Sequence, residues 1–378
     1  LPDIQYIVER KKKLKAIILT HAHEDHIGAM PYLYNDLKNV PIFTTPFTAS
    51  VLKRKFRNTN KSNHQINLLE YNKTKEIGPF SIEILALTHS IPEPNAVLIK
   101  TSSGNIFHTG DWKIDPKPLV GKPIDENKIK KISNNGIDLM VCDSTNVFNN
   151  KSSGSENDVR EELKKIFSDS RNGKIIITCF ASNIARLETI GIVSKIYNRS
   201  CVLLGRSLKK IYESALENGY LNNIDRFLDE KESKSIPEEN LVLICTGSQG
   251  ESRAALSKLI FSKNINFEIN KNDLLIFSSR EIPGNETQIS RLKNELVKIG
   301  CRCLDYNNSM VHVSGHPSKF ELKKMYNWLK PQNLIPVHGE FKHLLEHVNF
   351  AKNYGINSSM LVENGDLIKI KRNIGLEK

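Results

Sequence analysis

The stretch "LTHAHEDHIG", residues 19–28, decides how this chain is read. It continues the apolar run "LKAIIL" and packs His21, His23, Glu24, Asp25 and His26 into six positions of a chain with eleven histidines. The apolar run has the composition of a short buried strand. On an extended segment leaving such a strand, alternate residues project to one side, so His21 and His23 can grip one ion. Asp25 and His26, at the turn into a helix, then face a neighbouring position. Imidazole and carboxylate suit Zn²⁺, which takes nitrogen and oxygen donors at about 2 Å. A closed structural zinc site is usually richer in cysteine, and no cysteine lies nearby in the sequence.

One such cluster cannot complete two metal sites, so further ligands are expected at other strand ends. "LTHSIPEPN" offers His89 just past an apolar run, and "IPVHGE" offers His338 after another. "FHTGDW" offers Asp111, with His108 still inside the strand. Singly, each reads as a capping or core polar residue. Together, all leaving strands, they form a pattern that capping does not explain.

The bulk composition sets the frame. A chain of 378 residues is long for one core, so two domains are expected. Charged residues make up 25% and hydrophobic ones 39%, as in soluble globular proteins. No apolar run approaches the ~20 residues of a membrane span, and "LPDIQYIVERKKKLK" lacks a signal-peptide layout. The six cysteines (Cys142, Cys179, Cys201, Cys245, Cys301 and Cys303) lie mostly in apolar runs and read as reduced thiols of a cytoplasmic protein. A net charge of +12 favours a polyanion such as nucleic acid, although a Lys-, Asn- and Ile-rich composition produces the same excess. The basic runs "KKKLK" and "KRKFR", taken singly, read as solvated faces.

From residue 14 to about 148 the chain reads as short strands separated by turns. "IGAMPYLYNDL" reads as a short helix, and "FSIEILALTH", "NAVLIKT" and "IDLMVCDST" as strands. "TSSGN" makes a hairpin turn into "IFHTGD". The stretch 149–158 is linker-like, with Ser155 and Glu156 opening the next helix. Beyond it, strand, polar loop and helix alternate four times, which argues for a parallel, doubly covered sheet. Its loops "FASN", "GSQGE" and "SSREIPGN" should gather on one edge, where ligands bind. Gly247, Ser248, Gln249 and Gly250 lie between a strand and a helix, so their N–H groups can cradle a phosphate. Arg280 can add a forked, charge-assisted bond. The plainer reading of these loops is tight turns with ordinary caps. After residue 311, "VHVSGH" and "IPVHGE" flank the helix "KFELKKMYNWL".

The motifs "THAHEDHIG", "THSIPEPN", "HTGDWKID", "CDSTN", "VHVSGH" and "PVHGE" occur in the order found in the metallo-β-lactamase superfamily, β-CASP branch. The set resembles the ribonuclease J family over nearly the whole chain. The resemblance implies an α/β fold: a metallo-β-lactamase αββα sandwich, residues 1–155 and 314–378, with an inserted parallel β-CASP domain at 156–313. It implies that His21, His23 and His89 hold one zinc, that Asp25, His26 and His338 hold a second, and that Asp111 bridges them. Mn²⁺ or Mg²⁺ are substitutes. Asp143 and His316 match two further signature positions, implied to form an acid pair beside the scissile phosphate, with Asp25 also in the catalytic group. The RNA pocket is expected from Gly247, Ser248, Gln249, Gly250, Arg280, His312 and Ser314.

Two metal ions can share a hydroxide and clamp phosphate oxygens, which agrees with phosphodiester hydrolysis. The implied activity is 5′-to-3′ exonucleolytic and endonucleolytic cleavage of single-stranded RNA carrying a 5′-monophosphate. A homodimer or homotetramer is the family's pattern, and no membrane partner is implied. Members carry several strands before the first metal motif, and many have a small C-terminal domain that this sequence does not show. The alternative is a catalytically weak RNA-binding or scaffolding subunit of an RNA-decay complex, and a small-molecule metallohydrolase stands third.

Overall fold

A computed structural model describes residues 3–59, 65–170, 172–261, 266–370 and 374–377. The chain divides into two compact units, Leu1–Ser153 with Ser314–Lys378, and Gly154–Val313. After the short helix Gln5–Glu9, the strands of the first unit begin with β1 (Ile17–Ile18), β2 (Ile42–Thr44) and β3 (Ile66–Leu68). It continues through β4 (Thr74–Ile77), β5 (Phe80–Ala86), β6 (Asn95–Thr101), β7 (Gly104–His108) and β8 (Leu139–Asp143). The second unit supplies β9 (Ile175–Thr178), β10 (Ser200–Leu204), β11 (Leu241–Cys245), β12 (Leu274–Phe277) and β13 (Arg302–Leu304). The chain then returns to the first unit with β14 (Asn333–Val337) and β15 (Ser358–Ser359).

In the first unit, β1, β2 and β3 form a small parallel sheet. A larger sheet has the order β15-β14-β8-β7-β6-β5-β4. Strands β5 and β7 each run antiparallel to β6, while β7 pairs parallel with β8 and β8 with β14. So β5, β7, β8 and β14 all point the same way. Their C-terminal ends share one edge, and the loops leaving them emerge together. Behind that edge, Leu98, Phe107, Trp112 and Met140 pack against Leu322, Met325 and Leu329 of the helix Lys319–Leu329. The helix opens with a capping box in which Ser318 and Glu321 cap each other's backbone.

The second unit is a parallel sheet of order β10-β11-β9-β12-β13. The strands β9, β11 and β12 are buried throughout, which is why they read as continuous apolar runs and not as alternating ones. Helices Ile184–Ile196, Arg206–Glu217, Ala255–Phe261 and Glu286–Ile299 follow β9 to β12 in turn, giving the expected four strand–helix repeats. Ser155 caps the helix Glu156–Asp169, reciprocated by Asp158.

Local structure departs from the sequence expectation at three points. The apolar run at 14–19 contributes only the two-residue β1. "IGAMPYLYNDL" is not one helix: Glu24–Ile27 and Tyr34–Leu37 are separate single turns. Pro31 lies between them, lacking the N–H that a continuous helix needs and clashing with the carbonyl four residues back. Residues 46–58, expected among strands and turns, form the helix Pro46–Asn58, with Pro46 in its first turn and Phe47, Val51, Leu52 and Phe56 buried. Among the described residues, no helix is long and apolar enough to cross a membrane.

Candidate metal centre

Every one of the seven expected ligands leaves a strand of the first unit or follows closely on one. His21 and His23 come after β1, and His23 is the N-cap of the short helix that carries Asp25 and His26. His89 follows β5, Asp111 follows β7, and His338 is the residue after β14. Asp143 is the last residue of β8. His108 ends β7 and accepts a hydrogen bond from Gly110 N at 3.0 Å, which turns the chain toward Asp111. His338 takes the left-handed conformation, φ 59°, which is uncommon away from glycine and turns the backbone sharply off the strand.

The seven expected ligands converge in two groups on one shared oxygen, and Asp111 with Asp143, His316 and His338 makes a third group as compact. In the first, His23 Nδ1 lies 3.1 Å from His21 Nε2 and 3.0 Å from His89 Nε2. Asp111 Oδ2 lies 3.6 Å from His21 Nε2 and 3.8 Å from His89 Nε2. In the second, His338 Nε2 is 3.0 Å from Asp25 Oδ2, and His26 Nε2 is 3.5 Å from it. The same Asp111 Oδ2 is 3.1 Å from His26 Nε2 and 3.5 Å from His338 Nε2. Ligands at 2.0–2.1 Å around a tetrahedral ion stand about 3.3 Å apart. Both groups have that spacing, and within each all four donor atoms lie within 4.8 Å of one another.

Charge and tautomer fit a cation as well as distance does. Burial drives His21 and His89 well below the ordinary imidazole range, and His23 down to about 4, so all three are neutral with lone pairs to offer. His89 Nδ1 donates to the Gly315 carbonyl at 2.5 Å, which leaves Nε2 as the free lone pair. Gly315 is required for this approach, since a Cβ there would lie 2.8 Å from the His89 ring. Thr145 Oγ1 donates to the His338 carbonyl at 2.9 Å and sits 2.6 Å from His338 Nδ1. Its only proton is thus engaged, so it accepts from Nδ1–H and turns Nε2 toward the carboxylates. Burial opposes a charge on His338, yet Asp143 and Asp25 raise it to about 11. Burial would likewise raise Asp25, but the His338 hydrogen bond and the neighbouring imidazoles bring it below the usual carboxylate range. A metal cation bound at Nε2 would displace that proton.

Beside these groups, Asp143 Oδ2 and His316 Nδ1 are 2.8 Å apart. Burial works against both charges, but each partner outweighs it. The Asp143 carboxylate raises His316, and His316 keeps Asp143 below the ordinary range. Behind Asp143 runs a buried chain of hydrogen bonds that the sequence did not announce. Ser144 Oγ meets His347 Nδ1 at 2.8 Å, and His347 Nε2 meets the Tyr326 hydroxyl at 2.6 Å. Ser144 and Thr145 belong to the quoted motif "CDSTN", which was the only available signal. His347 lies on the helix Phe341–Asn353.

In the second unit, Gly247–Gly250 do lie after β11, but they are less open than expected. Gln249 N donates to Glu251, and Gly250 N to the Gly247 carbonyl. The Gln249 side chain is spent on the neighbouring loop, donating to the Arg280 carbonyl at 2.9 Å and accepting from Ile282 N at 2.8 Å. Ser248 is buried, while Arg280 is exposed. His312 is half-buried in this unit. Ser314, in the first unit, accepts from His316 N at 3.1 Å.

Family models match three consecutive parts of the chain. Residues 3–150 match the beta-lactamase superfamily domain, 172–296 the beta-CASP domain of ribonuclease J, and 306–361 the Zn-dependent metallo-hydrolase RNA specificity domain. Proteins named ribonuclease J are similar over almost the whole chain. The one from Sinorhizobium meliloti is 42% identical over 98% of this chain and 65% of its own length. That from Mycobacterium tuberculosis is 34% identical over 99% of this chain and 68% of its own. The Helicobacter pylori protein is also 34% identical, but the chain spans only 54% of it. A crystal structure of a protein of unknown function from Enterococcus faecalis V583 has the same fold. It superposes with a TM-score of 0.62 at 16% identity, over 96% of this chain and 81% of that one.

Proposed function

The chain belongs to the ribonuclease J family, and on that premise we propose that it is a zinc-dependent ribonuclease acting on single-stranded RNA. One observation carries this reading: Asp111 Oδ2 is common to two donor groups, each spaced for one ion. His21, His23 and His89 would hold one zinc, Asp25, His26 and His338 would hold the other, and Asp111 would serve both. The bound pair would supply a water deprotonated near neutral pH and positive charge against the phosphate oxygens. The residues around it do the rest. Asp143 holds His316 through Nδ1, which favours the charged ring and directs its other nitrogen outward. That nitrogen gives its proton to the leaving 3′-oxygen. A scaffolding subunit has no need of the complete ligand set or of this acid pair.

We assign the metallo-β-lactamase domain to 1–155 and 314–378 and the β-CASP domain to 156–313. Recognition of a 5′-monophosphate falls to Ser248, Arg280 and His312 of the second unit, with Gln249 holding the Arg280 loop in place. The enzyme works as a 5′-to-3′ exonuclease and an endonuclease in the cytoplasm, where its six unpaired cysteines stay reduced. The test is cleavage of matched 5′-labelled and 3′-labelled RNAs by the zinc-loaded protein, with and without chelator. Chelator-sensitive release of mononucleotides from the 5′ end, faster on 5′-monophosphate than on 5′-hydroxyl RNA, is expected alongside internal cuts. Intact RNA with zinc bound would overturn the proposal.

A further inference from the structure

Beyond β10 and β11 the second unit contains a cavity of about 660 Å³ that is lined by none of the residues assigned above. The two strands are parallel and in register, with Leu204 opposite Cys245, so Gly205 and Thr246 leave the sheet side by side. Gly205 has φ 121°, and a Cβ on it would lie 2.6 Å from Thr246 Oγ1. Only glycine permits that approach. The helix Arg206–Glu217 begins at this point with Gly205 as its N-cap and without a side-chain cap, so no side chain covers its first amides.

Cations from three separate elements line the same cavity. Arg206 comes from that helix, Arg253 from the loop after β11, and Lys258 from the helix Ala255–Phe261. None of the three side chains has a hydrogen bond or ion pair among the described residues. Some exposed lysines elsewhere in the unit are paired, as in Lys164–Glu161, Lys195–Asp225 and Lys298–Glu295. The two acids of the cavity are already engaged. Glu251 accepts from Gln249 N, and Glu230 lies 3.9 Å from Lys209.

We propose that this cavity is a phosphate-binding site, taking a phosphate of a nucleotide or of an RNA chain. Two guanidinium forks on different elements suit a tetrahedral anion, and the helix start supplies amides. A volume within the roughly 300–1,000 Å³ of small-molecule sites leaves room for the attached nucleoside.

The test compares Arg206→Glu and Arg253→Glu with a control, Lys195→Glu, which reverses a paired cation of the same unit. All are made in the full chain in a cleavage-deficient His316→Ala background. Two probes are titrated: AMP by calorimetry, and a labelled 5′-hydroxyl oligoribonucleotide by fluorescence anisotropy. Both cavity variants are expected to weaken at least one probe by tenfold or more relative to the control. Loss of an AMP-binding class identifies a free nucleotide as the ligand, and weakening of RNA alone identifies a chain phosphate. Effects no larger than the control's on both probes would overturn the proposal. If Arg206→Glu does not fold, Arg253→Gln and Lys258→Gln carry the same comparison.

Discussion

Two sheets in this molecule release loops from the C-terminal ends of parallel strands, and they treat charge in opposite ways. In the first unit, Asp111 Oδ2 has five imidazoles within 4.0 Å, and His21, His23 and His89 are driven neutral by burial. The charge balance there is left for something from outside to complete. In the second unit, buried charge is closed internally. Arg186, fully buried, reaches both Glu156 oxygens at 3.0 Å, Ser278 O at 2.7 Å and Val311 O at 2.8 Å. Lys174 sits between Glu238 at 2.7 Å and Asp273 at 3.2 Å. Among the described residues, no group of potential metal ligands lies in this unit. On the proposed function, chemistry belongs to the first edge and recognition to the second.

That contrast can be broken from either side. The largest effect is expected from His316→Ala, which should lower RNA cleavage by about 10²–10⁴-fold while metal content stays unchanged. Single-turnover rates and elemental analysis on the same samples check both halves. Loss of metal in this variant would make His316 a ligand and erase its separate role.

Next comes Arg186→Met, which leaves Glu156 buried and uncompensated. Breaking a buried pair in this way costs about 3–5 kcal/mol. Calorimetry should show the transition of the second unit lowered, with metal binding by the first retained. A change within the range of a surface substitution would mean that the Arg186 network does not hold the second unit together.

The smallest effect concerns pH. His347 is lowered from 6.5 to about 4 by burial. Its neutral form is favoured on folding, so its contribution to stability is full above pH 6.5 and falls away as pH drops toward 4. Over that window the wild-type chain, freed of metal, should lose about 3 kcal/mol more than His347→Gln. Denaturant midpoints at several pH values measure the difference. Parallel slopes would show that His347 titrates normally and is not sealed behind Ser144 and Tyr326.

How far this was legible in the sequence depends on the range of the interaction. The histidine cluster and the strand-end positions of His89, Asp111 and His338 could be read because each ligand directly follows an apolar run. The four repeats of the second unit could be read because fully buried strands leave unbroken apolar stretches. The helix Pro46–Asn58 was missed although Pro46 and its buried residues at helical spacing signalled it, because the basic run "KRKFR" masked its apolar face. The Ser144–His347–Tyr326 chain was out of reach: its members are up to 203 positions apart, and only the packed fold joins them. The loop 247–250 could be placed after its strand, but its internal bonding could not be read. Its amides look free in sequence, but Glu251 and the loop's own carbonyl already use two of them.

The central claim is that one carboxylate oxygen of Asp111 joins two metal sites. Zinc content of the reconstituted chain, determined by elemental analysis beside Asp111→Asn, tests it most directly. The account predicts two zinc ions per wild-type chain and no more than one in the variant. A single ion in the wild type, or two retained without the Asp111 carboxylate, would contradict it.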